Sequence, residues 1–204
     1  MLKNIVFDLD GTLWHNGNTY VYAYNKACDE YGIAQRLSDV QVKSFVTANY
    51  KDLMDGLFSW AKDDPAVPQK ALEYSGEFVR NHPEKCLYLG VKELLKEVAG
   101  KYNIYLSSNC PKAFAELFLE ISESENLFEK VYTMEDGKKP LHLAEISAAG
   151  KTLFVGDSPS DRDAIKGCRD TAFCWAAYGY KKCVLYDCKI NTPSELLTVL
   201  ENIK

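Results

Sequence analysis

The chain has 204 residues, 24 basic and 29 acidic, for a formal charge of −5. Its composition is that of an ordinary globular protein with room for one sizeable core, or a core and a small appendage. No basic tract or stripe is present, which argues against a nucleic-acid partner, and no apolar run approaches a membrane span. The seven cysteines are odd in number and include no Cys-x-x-Cys, and with three scattered histidines they make no zinc pattern. Asp8 and Asp10 interrupt the stretch that a secretory signal would keep apolar. The sequence therefore predicts a cytoplasmic protein with reduced thiols, in which Cys183 and Cys188 could pair only under oxidation.

In chain order, Ile5-Val6-Phe7 is a continuous apolar run of β-formers, as expected of a strand buried on both faces in a parallel sheet. It stops on Asp8 and Asp10, two residues apart and so able to project to one side, and Gly11 then allows a sharp turn. Asp and Gly are common turn residues. Two acids beyond the carboxyl end of a buried strand, with no base nearby in sequence, instead call for a cation where α/β sheets bind their ligands.

Residues 17–84 read as a small helical bundle. Tyr20, Tyr24, Ala27, Cys28 and Tyr31 recur at helical spacing, and Gly32 fits a C-terminal stop. Ser38-Asp39-Val40-Gln41 has the form of a capping box. Leu53, Leu57, Trp60 and Ala61 make a second stripe, broken at Asp63-Asp64-Pro65, and a third helix runs from about Pro68 to Asn81 before His82-Pro83. These aromatic stripes are read as packing.

An alternation of helices and strands begins near Cys86. Val91–Ala99 is an amphipathic helix ended by Gly100, and Asn103–Ser108 is a second strand. Pro111 opens a helix with Phe114, Leu117 and Phe118 on one face. Lys130–Thr133 is a short third strand, and Pro140 begins a helix that stops near Gly150. Thr152–Val155 is a fourth strand ending on Gly156-Asp157, and Thr171–Trp175 a fifth. Thr192-Pro193-Ser194-Glu195 combines a capping box with proline at the first helical position and starts the last helix. Alternating strands and helices imply a doubly wound parallel sheet with right-handed crossovers. The predicted domains are a core of residues 1–16 and 85–204 and a helical insert of 17–84.

Three further clusters lie at strand ends. Ser107-Ser108-Asn109 offers a hydroxyl and backbone amides suited to a phosphate oxygen, or a helix N-cap before Pro111. Lys138-Lys139-Pro140 offers a fixed cation, or a solvated surface charge. In Gly156-Asp157-Ser158-Pro159-Ser160-Asp161, Asp157 ends a strand and Asp161 falls in a helix's first turn, where an acid also complements the dipole.

Asp8-Leu9-Asp10-Gly11-Thr12 resembles the first motif of the haloacid dehalogenase superfamily, and the three later clusters resemble its other motifs in order. The resemblance selects Ser108, Lys139, Asp157 and Asp161. It covers about 1–16 and 85–200; the insert resembles the family's helical cap type without matching a cap assigned to one substrate, and the chain as a whole resembles the phosphoglycolate phosphatase-like members. It implies a Rossmann-type core with a cap and a Mg²⁺-dependent phosphatase acting on a small phosphorylated metabolite. By this resemblance Asp8 attacks phosphorus to form an aspartyl-phosphate, and Asp10 protonates the leaving group and then activates water. The Asp8 carboxylate, the Asp10 carbonyl, Asp157 and, in support, Asp161 hold the metal. Ser108, Asn109, Lys139 and the amides near Leu9 and Asp10 hold the phosphoryl oxygens, with Cys110 close by. Phosphomutases share these motifs, and a non-catalytic phospho-ligand-binding protein is a further alternative. The family's dehalogenases lack the second acid, which Asp10 supplies here.

Overall fold

The computed structural model describes residues 1–38, 40–42, 50–61 and 65–203. Asp39, Asp63, Asp64 and the side chain of Leu53, which figure in the sequence patterns above, lie outside the described residues. In chain order the elements are β1 (Asn4–Phe7), α1 (Gly17–Glu30), α2 (Tyr50–Leu57), α3 (Ala66–Asn81), α4 (Val91–Ala99), β2 (Asn103–Ser107), α5 (Lys112–Ser122) and β3 (Lys130–Tyr132). There follow α6 (Lys139–Ala148), β4 (Thr152–Gly156), α7 (Pro159–Ala164), β5 (Thr171–Ala176), β6 (Cys188–Ile190) and α8 (Glu195–Asn202). Among the described residues no helix is long and apolar enough to cross a membrane. The chain divides into two compact units, Met1–Trp14 with Leu87–Lys204, and His15–Cys86.

The first unit is built on a six-stranded, all-parallel sheet in the order β3-β2-β1-β4-β5-β6. Crossovers run outward one way from β1 through β2 to β3, then return to β4 and run the other way. Right-handed connections that reverse direction must put their helices on opposite faces. Accordingly α6 crosses β1 and β2 and packs beside α7, while α4 packs beside α8. Val6, Phe154 and Phe173 point into the first layer with Leu143 and Ile146 of α6. The alternate residues Ile5, Phe7, Leu153 and Val155 point the other way and are just as buried. This burial on both faces is why β1 and β4 carry the apolar runs Ile5–Phe7 and Leu153–Val155.

Two sequence readings differ from the structure. β6, a three-residue edge strand, was not expected. It pairs Cys174 of β5 in register with Cys188, so the neighbour of Cys188 is Cys174 and not Cys183, whose thiol faces the Leu185 carbonyl. All seven cysteines are free thiols. The last helix starts later than its capping box implied. Glu195, Leu196 and Leu197 each bond a carbonyl three residues back, and the Glu195 carboxylate accepts from the Asn191 N–H at 2.8 Å. A tight first turn thus replaces the expected cap at Thr192.

The second unit is helical. α1 buries Thr19, Tyr20, Ala23, Tyr24, Ala27 and Cys28, and α3 buries Val67, Ala71, Ser75, Phe78 and Val79. The two helices meet through Tyr22 on Phe78, with ring centroids 4.8 Å apart. Trp60 is more exposed than its place in the apolar stripe suggests, and its indole N–H donates to the Tyr24 hydroxyl at 2.7 Å. Tyr31 is exposed as well, since it follows the end of α1, where Gly32 takes a left-handed φ of 66°. The Ser38 N–H donates to Gln41 Oε1 at 3.1 Å, one of the two bonds of a capping box.

Candidate active site

The direction of chain crossovers reverses between β1 and β4, and the crevice beyond the carboxyl ends of such strands is where doubly wound sheets bind ligands. Asp8 stands at the end of β1. Its N–H donates to the Val155 carbonyl at 2.9 Å, one residue beyond the last strand pairing, so the sheet itself fixes the backbone of this acid. The chain then turns, and the amides of Thr12, Leu13 and Trp14 converge on the Leu9 carbonyl. Gly11 has a φ of 80°, and a Cβ there would stand 2.3 Å from Asp157 Oδ2. Conformation and space both require glycine. The turn also returns Trp14, whose indole N–H donates to Asp10 Oδ1 at 2.9 Å and orients that half-buried carboxyl.

Lys139, the first residue of α6, is buried, and its ammonium donates to Asp8 Oδ1 at 2.7 Å and to Asp161 Oδ1 at 2.6 Å. The neighbouring Lys138 is exposed. Asp161 serves two partners. Its Oδ1 takes the Lys139 ammonium, and its Oδ2 accepts from the Ser158 N–H and hydroxyl at 3.1 and 2.6 Å in a capping box at the start of α7. Asp157, directly after β4, has Oδ2 held by the Tyr180 N–H at 2.6 Å. Asp8, Asp157 and Asp161 each bring a carboxylate oxygen within 4.8 Å of the others. The carboxylate of Asp10 is not part of this group.

The site is short of positive charge. Burial pushes the Asp8 carboxyl well above its ordinary range, repulsion from Asp161 and Asp157 adds to this, and Lys139 offsets only part. Burial, with help from Asp161, raises Asp157 to about 7. Burial also works against the Lys139 charge, but Asp161 and Asp8 outweigh it and keep the ammonium protonated. Three buried acids and one lysine leave two negative charges unbalanced if all are ionised. The donors are hard carboxylate oxygens, and opposed ligands of a Mg²⁺ ion stand about 4 Å apart. The residues present therefore fit a small divalent cation.

The two serines at the end of β2 part company. The Ser107 hydroxyl pairs with His142 Nδ1 at 3.1 Å, away from the acids. Ser108, also buried, accepts the Cys110 N–H at 3.3 Å. Asn109 is exposed, and no side-chain bond ties it to the acids. Cys110 is buried within reach of the Asp10, Asp8 and Lys139 charges, and burial first and Asp10 second push its thiol far up. That makes it a poor nucleophile. Sequence reasoning missed the Tyr180 amide on Asp157 and the indole of Trp175 on the Asp157 carbonyl at 3.2 Å. A backbone N–H has no sequence signature, and Trp175 reads simply as a strand residue.

This sheet order, with acids at its switch point, defines a doubly wound α/β enzyme. The chain belongs to the haloacid dehalogenase-like hydrolase family, whose model matches residues 5–169. No curated protein matches it. Among solved structures it is similar to a predicted phosphoglycolate phosphatase from Haemophilus somnus, at 20% identity over 98% of both chains with a TM-score of 0.79. It is also similar to a family hydrolase of subfamily IA, variant 1, from Geobacter sulfurreducens, at 19% identity over 98% of this chain and 96% of that one, with a TM-score of 0.71. A third likeness is to a chain named as the HAD-hydrolase YfnB from Bacillus subtilis, bound to magnesium, at 17% identity over 99% of both chains with a TM-score of 0.73. At these identities the likeness establishes the fold.

Proposed function

We propose that this hydrolase is a Mg²⁺-dependent phosphatase that cleaves a small phosphorylated metabolite through an aspartyl-phosphate on Asp8. The observation that carries the reading is the Asp8 carboxylate at the switch point, bound by Lys139 and crowded by Asp157 and Asp161. Asp8, the Asp10 carbonyl and Asp157 would hold the cation. Asp161, with both oxygens engaged by Lys139 and Ser158, supports it by charge. A bound Mg²⁺ supplies positive charge against the phosphoryl oxygens and lets the crowded acids stay ionised.

Asp8 forms an O–P bond as the ester O–P bond breaks, and Asp10 gives its proton to the departing oxygen. Asp10 then takes a proton from water, the water oxygen attacks phosphorus, and the Asp8 carboxylate leaves as inorganic phosphate forms. The bond from Trp14 holds one oxygen of Asp10 still and so orients the carboxyl that exchanges the proton. Ser108, Lys139 and the amides near Leu9, Asp10 and Asn109 hold the phosphoryl oxygens. The helical unit acts as a cap that selects the leaving group.

The two acids fail differently when mutated. Asp8→Asn forms no phosphoenzyme with any substrate. Asp10→Asn still transfers the phosphoryl group of p-nitrophenyl phosphate, whose leaving group needs little protonation, but then lacks the base for hydrolysis. It gives a product burst of roughly one per site followed by slow turnover. Rapid-quench measurements on both variants, with folding checked by circular dichroism, decide the roles. A comparable burst from Asp8→Asn moves the nucleophile elsewhere, and unimpaired turnover by Asp10→Asn removes its acid–base role. Stoichiometric phosphate release separates hydrolysis from phosphoryl transfer within a substrate.

A further inference from the structure

After β5 the chain does not enter a helix but folds into a turn over the acids. The Ala177 N–H is fixed to the Ile190 carbonyl at 2.8 Å, and the Gly179 N–H closes onto the Ala176 carbonyl at 3.0 Å. The Trp175 indole N–H stands 3.2 Å from both the Asp157 carbonyl and the Lys181 carbonyl, joining the end of β4 to the far side of the turn. The Tyr178 hydroxyl donates to the Thr12 carbonyl at 2.8 Å, and the Tyr180 N–H holds Asp157 Oδ2.

Between these bonds the backbones touch. A Cβ on Gly179 would stand 2.3 Å from Asp157 Cβ and 2.4 Å from the Gly11 carbonyl oxygen. Gly179 is not among the positive-φ glycines, so space and not conformation demands glycine there. A Cβ on Gly11 would crowd the same carboxylate, 2.3 Å from Oδ2, and would also lie 2.7 Å from Tyr180 Cδ2. Asp157 thus meets two glycines, one amide and one indole, drawn from the loop after β1 and from the stretch Trp175–Tyr180.

We infer that the Tyr178-Gly179-Tyr180 turn is a positioning element for the divalent cation. It sets the rotamer of Asp157 by binding Oδ2, which leaves Oδ1 to the ion. It also fixes the loop after β1, which carries the Asp10 carbonyl, through Thr12 and Gly11. None of these groups touches the reacting atoms; they act through the ligands. This rests on the metal reading above and adds to it a part of the chain that lies outside the four sequence motifs. Groups that orient metal ligands in this way commonly matter nearly as much as the ligands themselves.

The test is Mn²⁺ binding to the intact metal-free protein, followed by the electron paramagnetic resonance signal of the free ion well below the melting temperature. Gly179→Ala is expected to raise the dissociation constant by about tenfold or more. Should Gly179→Ala fail to fold, Tyr178→Phe removes a single hydrogen bond without changing shape and is expected to raise it by about threefold. A purely structural turn would instead lower the metal-free melting temperature and leave the dissociation constant alone. Asp157→Asn separates the two levels of the argument. If the wild type binds no Mn²⁺, or Asp157→Asn binds it as well as the wild type, the metal reading falls and this inference with it. If Asp157→Asn abolishes binding while the folded turn variants bind like the wild type, only the inference falls.

Discussion

Asp161 shows how one residue carries two local readings at once. From sequence it was either a helix-capping acid or a member of an acidic motif, and its two oxygens divide those duties between Ser158 and Lys139. His142, one turn beyond Lys139, had no sequence signal at all. It is buried, stacked on Tyr132 at 4.6 Å, paired through Nδ1 with Ser107, and without a hydrogen bond at Nε2. Burial lowers its pKa from the ordinary 6.5, and Asp136 and Glu145 oppose that shift incompletely. The folded chain therefore keeps His142 neutral where the unfolded chain protonates it. Below about pH 6.5 the unfolded state binds more protons, so stability falls as pH falls, by up to about 1.4 kcal/mol per pH unit until the folded pKa is passed. His142→Phe keeps the stacking and removes the titration, so its melting temperature is expected to drop less than the wild type's between pH 7 and pH 5. Half-buried His15, lowered by burial in the same direction, leaves a residual slope. Equal slopes in the two proteins would mean that His142 titrates normally in the fold.

Two non-glycine residues with left-handed backbone mark element boundaries. Asp170, in the turn between α7 and β5, has a φ of 47°, and Glu123, just after α5, has a φ of 56°. Asp170 is exposed and lies at the amino ends of the strands, opposite the acids, where its carbonyl accepts the Thr152 N–H at 3.0 Å. Asp170→Gly relieves the Cβ strain and is expected to stabilise the fold by roughly 0.5–1 kcal/mol without altering activity. A urea midpoint raised at constant slope would show it, and a lowered midpoint would mean that the Asp170 side chain supports the turn. Glu123→Gly gains less, because the Glu123 carboxylate binds Lys92 at 2.7 Å. How legible an element was in sequence follows its burial. β1 and β4 carry the apolar runs Ile5–Phe7 and Leu153–Val155 because both faces are covered, whereas β6 has three residues with Lys189 exposed at its centre and no pattern to read. The first turn of the last helix misled because capping residues record preferences and not bond partners. The acids stood out as carboxylates at strand ends, but Ser108 and Lys139 were separable from Ser107 and Lys138 only through the family resemblance. The turn at Tyr178–Tyr180 was invisible because it works through a backbone amide, an absent Cβ and a tyrosine hydroxyl bound to a backbone carbonyl, none of which has a sequence signature.

At the scale of the whole molecule, the two units differ in what holds each together. The first closes without the second. Trp14 and Leu87 form an antiparallel bridge, and the Tyr88 N–H donates to the Leu13 carbonyl at 3.2 Å, so the points where the insert leaves and rejoins this unit are already side by side. Trp14 is wedged edge-on against Phe114 and Phe118, with centroids 6.4 and 5.9 Å away, which anchors that junction in the core. Closing so small a gap costs a short linker little entropy. Joining Met1–Trp14 to Leu87–Lys204 through a few glycines and serines is therefore expected to give a cooperatively folding α/β domain with all four candidate acids in place. If the helical unit serves as a cap, the excised domain keeps its attack on p-nitrophenyl phosphate but loses discrimination among natural phosphate esters, since nothing is left to bind their leaving groups or to exclude water. Circular dichroism and urea unfolding report the first outcome, and specificity constants over a panel of phosphorylated metabolites report the second. A domain that folds and retains the selectivity of the full chain would place substrate choice in the core. One that cannot fold would show that the His15–Cys86 unit contributes to the stability of the sheet.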